Sequence, residues 1–325
     1  MKNEPEKIQS GTTSTDLTIV IVNWNTRKLL ADCLDSVAGT VQGPTYEVIV
    51  VDNASTDGSI GMLRDEYPEV RVIANDVNRG FGAANNQAFA VMAGRYALLL
   101  NTDTVLTDKA VKELYAFMEG HPEAGMCCGQ LLNGDGSKQN SIASFPTLLT
   151  LLTNMSLLEY LLPGRYPSKR YDHAGPVEVD SGVGACLMVR KKAMDVVGWF
   201  DERYFFFFEE TDWAYRMRQE GWKVYHVPTA YIYHLQGQSI GPDIRSRIEF
   251  YRSRNQFFQK WHSPIYYVLI RTVVFGRLLI NWLLTILANA LCLGLYRHQR
   301  RKLAVYTCLI RWHFKDLIIS YPKSA

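Results

Sequence analysis

After a polar opening stretch, short apolar runs alternate along the chain with segments of helical periodicity. Four runs rich in β-branched and aliphatic residues predict strands buried on both faces: LTIVIVN (17–23), YEVIVVD (46–52), VRVIAND (70–76) and RYALLLN (95–101). Between and after them, residues 29–37, 57–66, 82–93 and 107–119 predict helices. Such alternation predicts an α/β fold with a mainly parallel sheet and right-handed crossovers.

The middle of the chain has a less regular pattern. Residues 146–163 are apolar and predict a helix, and residues 164–176 predict a mobile basic and aromatic loop. Residues 177–202 predict a strand, a glycine-rich bend, a second strand and a helix. The stretch FFFFEETDWAYR (205–216) predicts a buried strand that leads directly into an acidic helix start.

Beyond residue 240 the pattern changes again. Residues 246–262 predict a basic, aromatic amphipathic helix, and the nineteen residues of 278–296 carry no charge. Nineteen helical residues extend about 28 Å, which is close to the hydrocarbon thickness of a bilayer. Helices that lie in or dip into the inner leaflet are the favoured interpretation. A single span or re-entrant hairpin and a soluble helical bundle are the alternatives.

Charge follows the same division. Residues 241–325 carry 14 Lys and Arg against 3 Asp and Glu, whereas the first 240 residues carry 21 against 29. A segment both basic and apolar favours an anionic membrane surface, and without an RNA- or DNA-binding motif no nucleic acid partner is predicted. Six cysteines without paired spacing favour a reducing, cytoplasmic compartment. The predicted organisation is a flexible leader (1–16), an α/β domain (17–240) and a membrane-associating helical region (241–325).

Polar side chains end the predicted strands, at the edge where α/β sheets bind ligands. They are Asn23, Asp52, Asn101 and Asp103. Asp52 is suited to accept the imide N–H of a pyrimidine base. Asp103 is suited to hold Mg²⁺ or Mn²⁺ against a diphosphate, because hard cations prefer oxygen ligands. Each residue alone also fits an ordinary strand-to-helix turn, so the hypothesis rests on their common edge.

The acids Glu209, Glu210 and Asp212 have two interpretations. Acidic residues favour a helix N-terminus for electrostatic reasons alone. Alternatively, one of them is a general base that the preceding phenylalanines desolvate. His234 ends a further apolar run, in YIYHLQGQS, where it is either structural or a contact to metal or phosphate.

In their order along the chain, these motifs resemble family-2 glycosyltransferases of the GT-A fold, and most of all the bacterial rhamnosyltransferase-like branch. The resemblance covers roughly residues 17–255 and is carried by VIVNWNTRKLLADCLDSV, VIVVDNASTDGS, NRGFGAANNQAF, LLLNTDT, residues 181–224 and YIYHLQGQS. It implies a GT-A domain with a Rossmann-like, mainly parallel sheet, a nucleotide-sugar donor and inversion at the anomeric carbon.

The resemblance also implies roles for individual residues. Those that would bind the nucleotide-sugar are Val22, Asn23, Trp24, Asp52, Asn85, Asn101, Thr102 and Asp103. Asp103 and His234 would hold the divalent metal. Glu210 would be the catalytic base, with Glu209 and Asp212 as alternatives because the family usually has aspartate as the second acid. Gly182, Arg252 and Arg254 would contact the acceptor or its diphosphate.

Two departures qualify the resemblance, since Asn85 stands where many relatives carry arginine and Asn101 where some carry aspartate. The branch favours transfer of L-rhamnose from dTDP-L-rhamnose to a polyprenyl-diphosphate-linked sugar, at the cytoplasmic face of a bacterial inner membrane. A UDP-sugar donor and a non-catalytic scaffold with the same fold are alternatives, and a homo-oligomer stays open. Without a GxGTR-like loop or a QxxRW signature, a nucleotidyltransferase and a processive synthase are disfavoured.

Overall fold

The computed structural model describes residues 15–167, 173–235, 244–293 and 295–319. The strands are β1 (Leu17–Asn23), β2 (Tyr46–Asp52), β3 (Arg71–Ala74), β4 (Tyr96–Asn101), β5 (Thr104–Leu106), β6 (Ala124–Leu132), β7 (Ile142–Ala143), β8 (Val177–Glu178), β9 (Ser181–Gly182), β10 (Cys186–Arg190) and β11 (Lys223–His234). The helices are α1 (Arg27–Thr40), α2 (Ser59–Glu66), α3 (Phe81–Phe89), α4 (Ala110–Gly120), α5 (Leu148–Leu152), α6 (Met155–Leu161), α7 (Lys191–Val197), α8 (Glu209–Gln219), α9 (Ile244–Trp261), α10 (Pro264–Leu291) and α11 (Arg297–Ile319). Most of the predicted leader, the middle of the predicted loop at 164–176 and the predicted boundary at residue 240 lie outside the described residues.

A mixed sheet carries the fold, in the order β3-β2-β1-β4-β10-β6-β11-β5 with β8 beside β11. Strands β3, β2, β1 and β4 run parallel to one another, as do β6 and β11. Strand β10 lies antiparallel between β4 and β6. The predicted α/β fold is confirmed together with its parallel half. The antiparallel strands β10 and β5 belong to the half of the sheet beyond β4, whose pairing the sequence pattern did not predict.

The central strands are apolar throughout because helices cover both faces of the sheet. Ile19 and Ile21 pack with Leu30 of α1 on one face, while Val20 packs with Ala88 and Phe89 of α3 on the other. A strand buried on both faces reads as a continuous apolar run rather than an alternating one. This packing on both faces fixes the position of the carboxyl edge of the sheet, where β1 and β4 end.

The four phenylalanines at 205–208 do not form the predicted strand. Phe207 and Phe208 have φ angles of 69° and 71°, so the chain turns sharply and α8 begins at Glu209. A left-handed φ is unfavourable for a bulky residue and persists only where neighbours hold it. Here Ser253 of α9 donates from Oγ to the carbonyl of Phe206 at 2.9 Å. Packing against α9 thus overrides the strand preference of the aromatic run.

The predicted helix at 146–163 is instead two short helices. Thr153 is extended and Asn154 caps α6 by accepting a hydrogen bond from the Ser156 backbone N–H at 2.9 Å. Asn favours N-cap positions because its side-chain oxygen satisfies an orphan backbone N–H. The break leaves α5 and α6 with exposed leucines, among them Leu149, Leu152, Leu157 and Leu161.

Three long helices follow the sheet domain. Helices α10 and α11 pack along each other and against α9, through Phe258, Ile270, Val274, Leu278 and Leu309. An ion pair at 2.9 Å between Arg271 and Asp316 joins α10 to α11. Within the described residues, α10 is the one helix long and apolar enough to cross a membrane by length and composition. Several of its leucines and isoleucines are more than half exposed, including Ile280, Leu283, Leu284 and Leu287.

Gly80 is required by a close approach between the start of α3 and the turn at 205–208. Its φ is +85° and ψ is 176°, and an added Cβ would lie 2.5 Å from the carbonyl oxygen of Phe205. That backbone region is almost restricted to glycine, and occupying it costs other residues about 1–3 kcal/mol. Gly80→Ala is therefore expected to lower the thermal unfolding midpoint, measured by circular dichroism. Gly120→Ala is the matched control, because a Cβ there meets no atom within 4 Å. Equal midpoints for Gly80→Ala and the wild type would contradict this account.

Candidate functional site

A cavity of about 380 Å³ opens where β1 and β4 end. Val22 and Trp24 line it from β1 and the residues after it, and Asn101 and Thr102 line it from the end of β4. Other parts of its wall come from Asn53, the loop before α3, Phe205 and Phe206, and the first two turns of α9. This strand-end cavity therefore brings together four of the predicted nucleotide-sugar residues, at the sheet edge where α/β proteins bind ligands.

A buried polar network lies at the same edge and fixes Asp52. Asn23 donates from Nδ2 to Asp52 Oδ2 at 2.6 Å and to Ser55 Oγ at 3.0 Å, while the Ser55 backbone N–H donates to Asp52 Oδ1 at 2.8 Å. Thr26 Oγ1 lies 2.7 Å from Asn23 Oδ1 and 2.9 Å from Thr102 Oγ1. Asp52 is only 1% exposed. Asn23 thus positions Asp52, and the contact of Asp52 with a base stays a prediction.

Asn85 does not line the strand-end cavity. It lies on α3, is 1% exposed, and donates from Nδ2 to the carbonyl of Phe81 one turn earlier at 2.9 Å. Asn53, the residue after Asp52, does line the cavity. Its Nδ2 donates to the carbonyl of Gly80 at 3.1 Å. The position of Asn85 gives its predicted nucleotide contact no support, whereas Asn53 holds the loop that forms one cavity wall.

Asp103 and His234 meet although 131 positions separate them in the sequence. Asp103 follows β4 and His234 ends β11, and Asp103 Oδ1 lies 3.4 Å from His234 Nε2. The backbone N–H of Leu235 donates to the carbonyl of Asp103 at 2.8 Å, which joins the two segments. Both residues are buried, at 2% and 7% exposure. The predicted pairing of these two residues is thus present in the fold.

Gln139 determines which ring nitrogen of His234 carries a hydrogen. Its Nε2 donates to the backbone carbonyl of His234 at 2.5 Å, so its Oε1 is the atom that lies 2.9 Å from His234 Nδ1. An amide oxygen only accepts hydrogen bonds, so Nδ1 must be the protonated nitrogen. In the neutral ring, the lone pair of Nε2 then faces the Asp103 carboxylate. This contact becomes attractive when a cation lies between the two atoms or when Nε2 is also protonated.

The Asp103–His234 pair fits a divalent cation that substrate oxygens complete. Mg²⁺ sites commonly use one or two protein carboxylates together with phosphate oxygens and water. A histidine ligand whose other nitrogen donates to an amide oxygen is also a frequent metal-site arrangement. Within the described ranges, no group of three or more His, Cys, Asp and Glu side chains could hold a metal by itself.

Glu210 is the member of the acidic triplet that faces an open space. It lines a second cavity of about 410 Å³, together with Ser144, Phe208, Thr211 and Arg254, which we name the helix-start cavity. Burial raises the pKa of Glu210 to about 7. A carboxyl group with such a pKa can accept and release a proton near neutral pH.

Glu209 lies deeper, at 4% exposure, and lines neither the strand-end cavity nor the helix-start cavity. Burial, followed by the neighbouring charge of Glu210, raises its pKa well above the usual range. Forming the carboxylate of Glu209 is therefore more costly, and no cavity beside it admits a substrate hydroxyl. Of the two adjacent acids, the geometry favours Glu210.

Asp212 is fully buried, and its carboxylate accepts hydrogen bonds from four side chains. Lys260 Nζ and Arg216 Nε lie 2.9 and 3.0 Å from Oδ2, while Trp261 Nε1 and Tyr204 Oη lie 2.7 and 3.4 Å from Oδ1. Lys260 also bonds Asp201 at 2.7 Å. This network ties α9 to α8, so the geometry gives Asp212 a structural function and supports no contact with substrate.

The turn at 205–208 separates the cavities. Phe205 and Phe206 line the strand-end cavity, Phe208 lines the helix-start cavity, and Phe207 lines the helix-start cavity and a third one. Four consecutive phenylalanines therefore form a partition that ends two residues before Glu210. Gly184 leaves room beside that carboxyl, since an added Cβ would lie 4.0 Å from Glu210 Cδ.

The predicted acceptor residues occupy different environments. Arg254 is 6% exposed and lines the helix-start cavity. Arg252 is half exposed and pairs with Glu249 at 2.5 Å. Gly182 is buried in β9, where a Cβ would meet Leu187 and Cys128 at 2.7 and 2.8 Å. Packing thus explains Gly182, and its predicted contact with an acceptor gains no support.

Sequence reasoning missed Gln139, Asn53 and Lys260. Each acts through a partner at least 27 positions away, although Asn53 lies in the motif VIVVDNASTDGS and Lys260 in the predicted amphipathic helix 246–262. Asn53 was detectable in principle, because it follows Asp52 at a strand end. Nothing near Gln139 or Lys260 in the sequence indicates the partner that each of them bonds.

A family model described as "Glycosyl transferase family 2" matches residues 18–198, more than half of the chain. The chain is 28% identical over 302 residues to an N-acetylglucosaminyl-diphospho-decaprenol L-rhamnosyltransferase of Mycobacterium tuberculosis, which covers 88% of this chain and 96% of that protein. It is 23% identical to the low-salt glycan biosynthesis hexosyltransferase Agl10 of Haloferax volcanii, over 82% of this chain and 85% of the relative.

The fold is also similar to that of a solved glycosyltransferase structure. The mannosyltransferase PcManGT from Pyrobaculum calidifontis, determined in complex with GDP-Man and Mn²⁺, superposes with a TM-score of 0.58. The match covers 95% of this chain and 89% of that one at 15% identity. At this level of identity, the similarity supports the fold and no finer property.

Proposed function

This chain belongs to glycosyl transferase family 2 and is a glycosyltransferase, and from that premise we propose that it transfers L-rhamnose from dTDP-L-rhamnose to a sugar on a polyprenyl diphosphate. The single observation that carries the reaction is the adjacency of two cavities across the turn at 205–208. In this proposal the donor binds in the strand-end cavity and the acceptor in the helix-start cavity, which Glu210 lines. The identity of donor and acceptor follows the Mycobacterium tuberculosis relative, whose name states them in part.

The proposed reaction is a single displacement with inversion. Glu210 takes the proton of the acceptor hydroxyl, whose oxygen forms a bond to the anomeric carbon while the bond from that carbon to the nucleotide diphosphate breaks. The proton remains on Glu210, whose pKa of about 7 suits this transfer. Trp24, Asn101 and Thr102 orient the nucleotide in the strand-end cavity, and the apolar turn excludes water from the reacting carbon.

Asp103 and His234 would hold Mg²⁺ or Mn²⁺ beside the donor diphosphate. When bound, such an ion offsets negative charge that develops on the leaving diphosphate. Gln139 keeps the His234 ring oriented, with the unprotonated Nε2 directed towards Asp103. That orientation prepares both ligands before the donor arrives.

We propose that α10 and α11 attach the enzyme to the cytoplasmic face of the membrane. The exposed leucines of α5, α6 and α10 offer apolar surface, and the 14 basic residues of 241–325 favour anionic lipid headgroups. This attachment would bring a lipid-linked acceptor to the same side of the molecule as α9.

Donor binding is expected to stabilise the detergent-purified protein against heat. Ligand at a hundredfold excess over Kd raises the free energy of unfolding by about 2.7 kcal/mol. The measurement is the thermal unfolding midpoint with dTDP-L-rhamnose, dTDP, UDP-glucose and UDP-N-acetylglucosamine, each with Mn²⁺ and with EDTA. We expect the largest upward shift for dTDP-L-rhamnose with Mn²⁺.

Each other outcome is informative. A shift with a UDP-sugar alone would preserve glycosyl transfer and overturn the rhamnose assignment. A folded protein that no nucleotide stabilises would favour a non-catalytic scaffold instead.

Gln139→Leu is expected to weaken Mn²⁺ binding by about tenfold to a hundredfold, the usual effect of removing an outer-shell partner. The reason is that Leu cannot accept the Nδ1–H of His234, so the ring loses its orientation. Titration calorimetry of Mn²⁺ into the protein–dTDP complex measures the affinity. Gln139→Glu keeps an acceptor for Nδ1–H and should retain more affinity than Gln139→Leu. Equal Mn²⁺ affinity in Gln139→Leu and the wild type would rule out this positioning role.

A further inference from the structure

A third cavity, of about 470 Å³, lies between α5, α9, α10 and α11. Three arginines line it: Arg247 and Arg254 from α9 and Arg277 from α10. None of the described residues that line it is acidic. Apolar side chains of α10 and α11, including Val274, Leu278 and Leu309, form part of its wall. We name it the arginine cavity.

Arg254 is the buried cation of this cavity. It is 6% exposed, and among the described residues its Nε and Nη2 atoms have no hydrogen-bond partner. Its guanidinium carbon lies 4.5 Å from the centre of the Tyr251 ring, which supports the charge but uses none of those N–H groups. Burial lowers the pKa of Arg254 to about 10, so the group remains charged at neutral pH. A buried unpaired charge is strongly unfavourable, which indicates an anionic ligand.

The arginine cavity adjoins the helix-start cavity. Both are lined by Leu151, Phe207, Phe250 and Arg254, so Arg254 faces the two spaces at once. Glu210 lines the helix-start cavity. An anion held by Arg254 would therefore lie next to the space from which Glu210 takes its proton.

The same elements carry exposed apolar surface. Leu152 on α5 and Ile280 and Leu284 on α10 are each about 60% exposed. Arg277 donates to the carbonyl of Leu151 at 2.6 Å, which joins α10 to α5 at the cavity wall. A ligand with an anionic head and a long apolar tail matches this combination of a cationic interior and an apolar exterior.

We propose that the arginine cavity binds the diphosphate of a polyprenyl diphosphate, with Arg254 as the central contact and Arg247 and Arg277 beside it. This inference rests on the proposed function. It keeps Arg254 from the sequence prediction, adds Arg247 and Arg277, and excludes Arg252. A diphosphate offers enough acceptor oxygens for several guanidinium groups, and arginine binds phosphate through paired N–H donors. Arg252 does not line the cavity, and its guanidinium is paired with Glu249 instead.

The test is titration calorimetry of farnesyl diphosphate into the full chain in a neutral detergent. Arg254→Met keeps the length of the side chain and removes its charge. It should bind farnesyl diphosphate about tenfold to a hundredfold more weakly, the usual effect of losing charged hydrogen bonds. It should also unfold at a temperature no lower than the wild type, because an unpaired buried charge is removed. Arg277→Met is the second variant, and it also removes the hydrogen bond from Arg277 to the Leu151 carbonyl. A loss of affinity at an unchanged unfolding midpoint would therefore report a lost contact with the diphosphate.

Arg301→Met is the matched control, an exposed arginine on α11 away from the cavity lining, and it should leave the affinity unchanged. Arg252→Met should lower the affinity less than Arg254→Met, and an equal loss would overturn the assignment to the cavity. The phosphate bound in the cavity could come from a polyprenyl diphosphate or from a lipid headgroup. Binding to vesicles of phosphatidylglycerol and phosphatidylcholine, which carry headgroups and no polyprenyl diphosphate, distinguishes these two sources. If Arg254→Met loses affinity for vesicles but binds farnesyl diphosphate normally, the cavity holds a lipid headgroup and the proposal is wrong.

Stabilisation by dTDP-L-rhamnose with Mn²⁺ is measured on the same samples. If donor stabilisation is absent from the wild type, the proposed function is in error. If donor stabilisation is intact in every variant and farnesyl diphosphate binds all of them equally, only the acceptor site is in error.

Discussion

Glu210→Gln is expected to lower the turnover number by about 10²–10⁴-fold, the usual contribution of a general base. Gln has nearly the same shape as Glu but cannot accept the proton of the acceptor hydroxyl at neutral pH. Glu210 lines the helix-start cavity and not the strand-end cavity, so the nucleotide affinity should stay unchanged. Transfer of radiolabelled sugar from dTDP-L-rhamnose to a lipid-linked acceptor gives the turnover number, and calorimetry with dTDP gives the affinity.

A pH–rate profile and the Glu209→Gln variant test further whether Glu210 is the base. The wild-type rate should fall as the pH drops below about 7, because burial raises the Glu210 pKa to about 7 and only the carboxylate acts as a base. Glu209→Gln should keep this acid limb, since burial rather than the Glu209 charge raises the Glu210 pKa. Glu220→Gln, at an exposed position after the same helix, is the control and should match the wild type. Near-normal turnover in Glu210→Gln would exclude Glu210 as the base.

Asp103→Asn should abolish most of the metal-dependent binding of nucleoside diphosphate. The substitution removes the one charged ligand of the pair that the Gln139–His234 contact prepares. Electrostatic stabilisation by a bound cation is typically worth several kcal/mol, so we expect a fall of about 10²-fold or more in affinity and rate. Calorimetry of Mn²⁺ into the dTDP complex measures this directly, and EDTA should reproduce the loss in the wild type.

Asp108→Asn is the control for Asp103→Asn. Asp108 is exposed and lies five residues further along the chain, so its variant should bind Mn²⁺ as the wild type does. Unchanged Mn²⁺ affinity in Asp103→Asn would mean that the Asp103–His234 pair is structural. The enzyme would then need another group to offset the charge of the leaving diphosphate.

The acidic triplet illustrates the difference between sequence information and tertiary information. Its three members are chemically similar and lie within four residues, so helical spacing alone leaves each of them a candidate. The fold separates them: Glu210 faces a cavity, Glu209 is buried, and Asp212 is surrounded by Arg216, Lys260, Trp261 and Tyr204. Two of those partners come from α9, some 48 residues away.

For the phenylalanines before the triplet, the local pattern is clear but predicts the wrong structure. Aromatic residues favour strands when they pack on a pleated surface, and the local pattern at 205–208 fits a strand. The structure forms a tight turn there instead, because α9 packs against it and Ser253 bonds the Phe206 carbonyl. Local preference is a weak constraint wherever a distant element supplies the packing.

By itself, the sequence determined the β1 to β4 alternation, the polar residues at the strand ends and the basic, apolar character of the last 85 residues. These features follow from periodicity and composition, which act over a few neighbouring positions. Only the tertiary structure decided that β10 lies antiparallel between β4 and β6, that Gln139 orients His234, and that Arg254 faces a cavity shared with Glu210. Those contacts join segments far apart in the chain, and their energy depends on burial and geometry that no local pattern records.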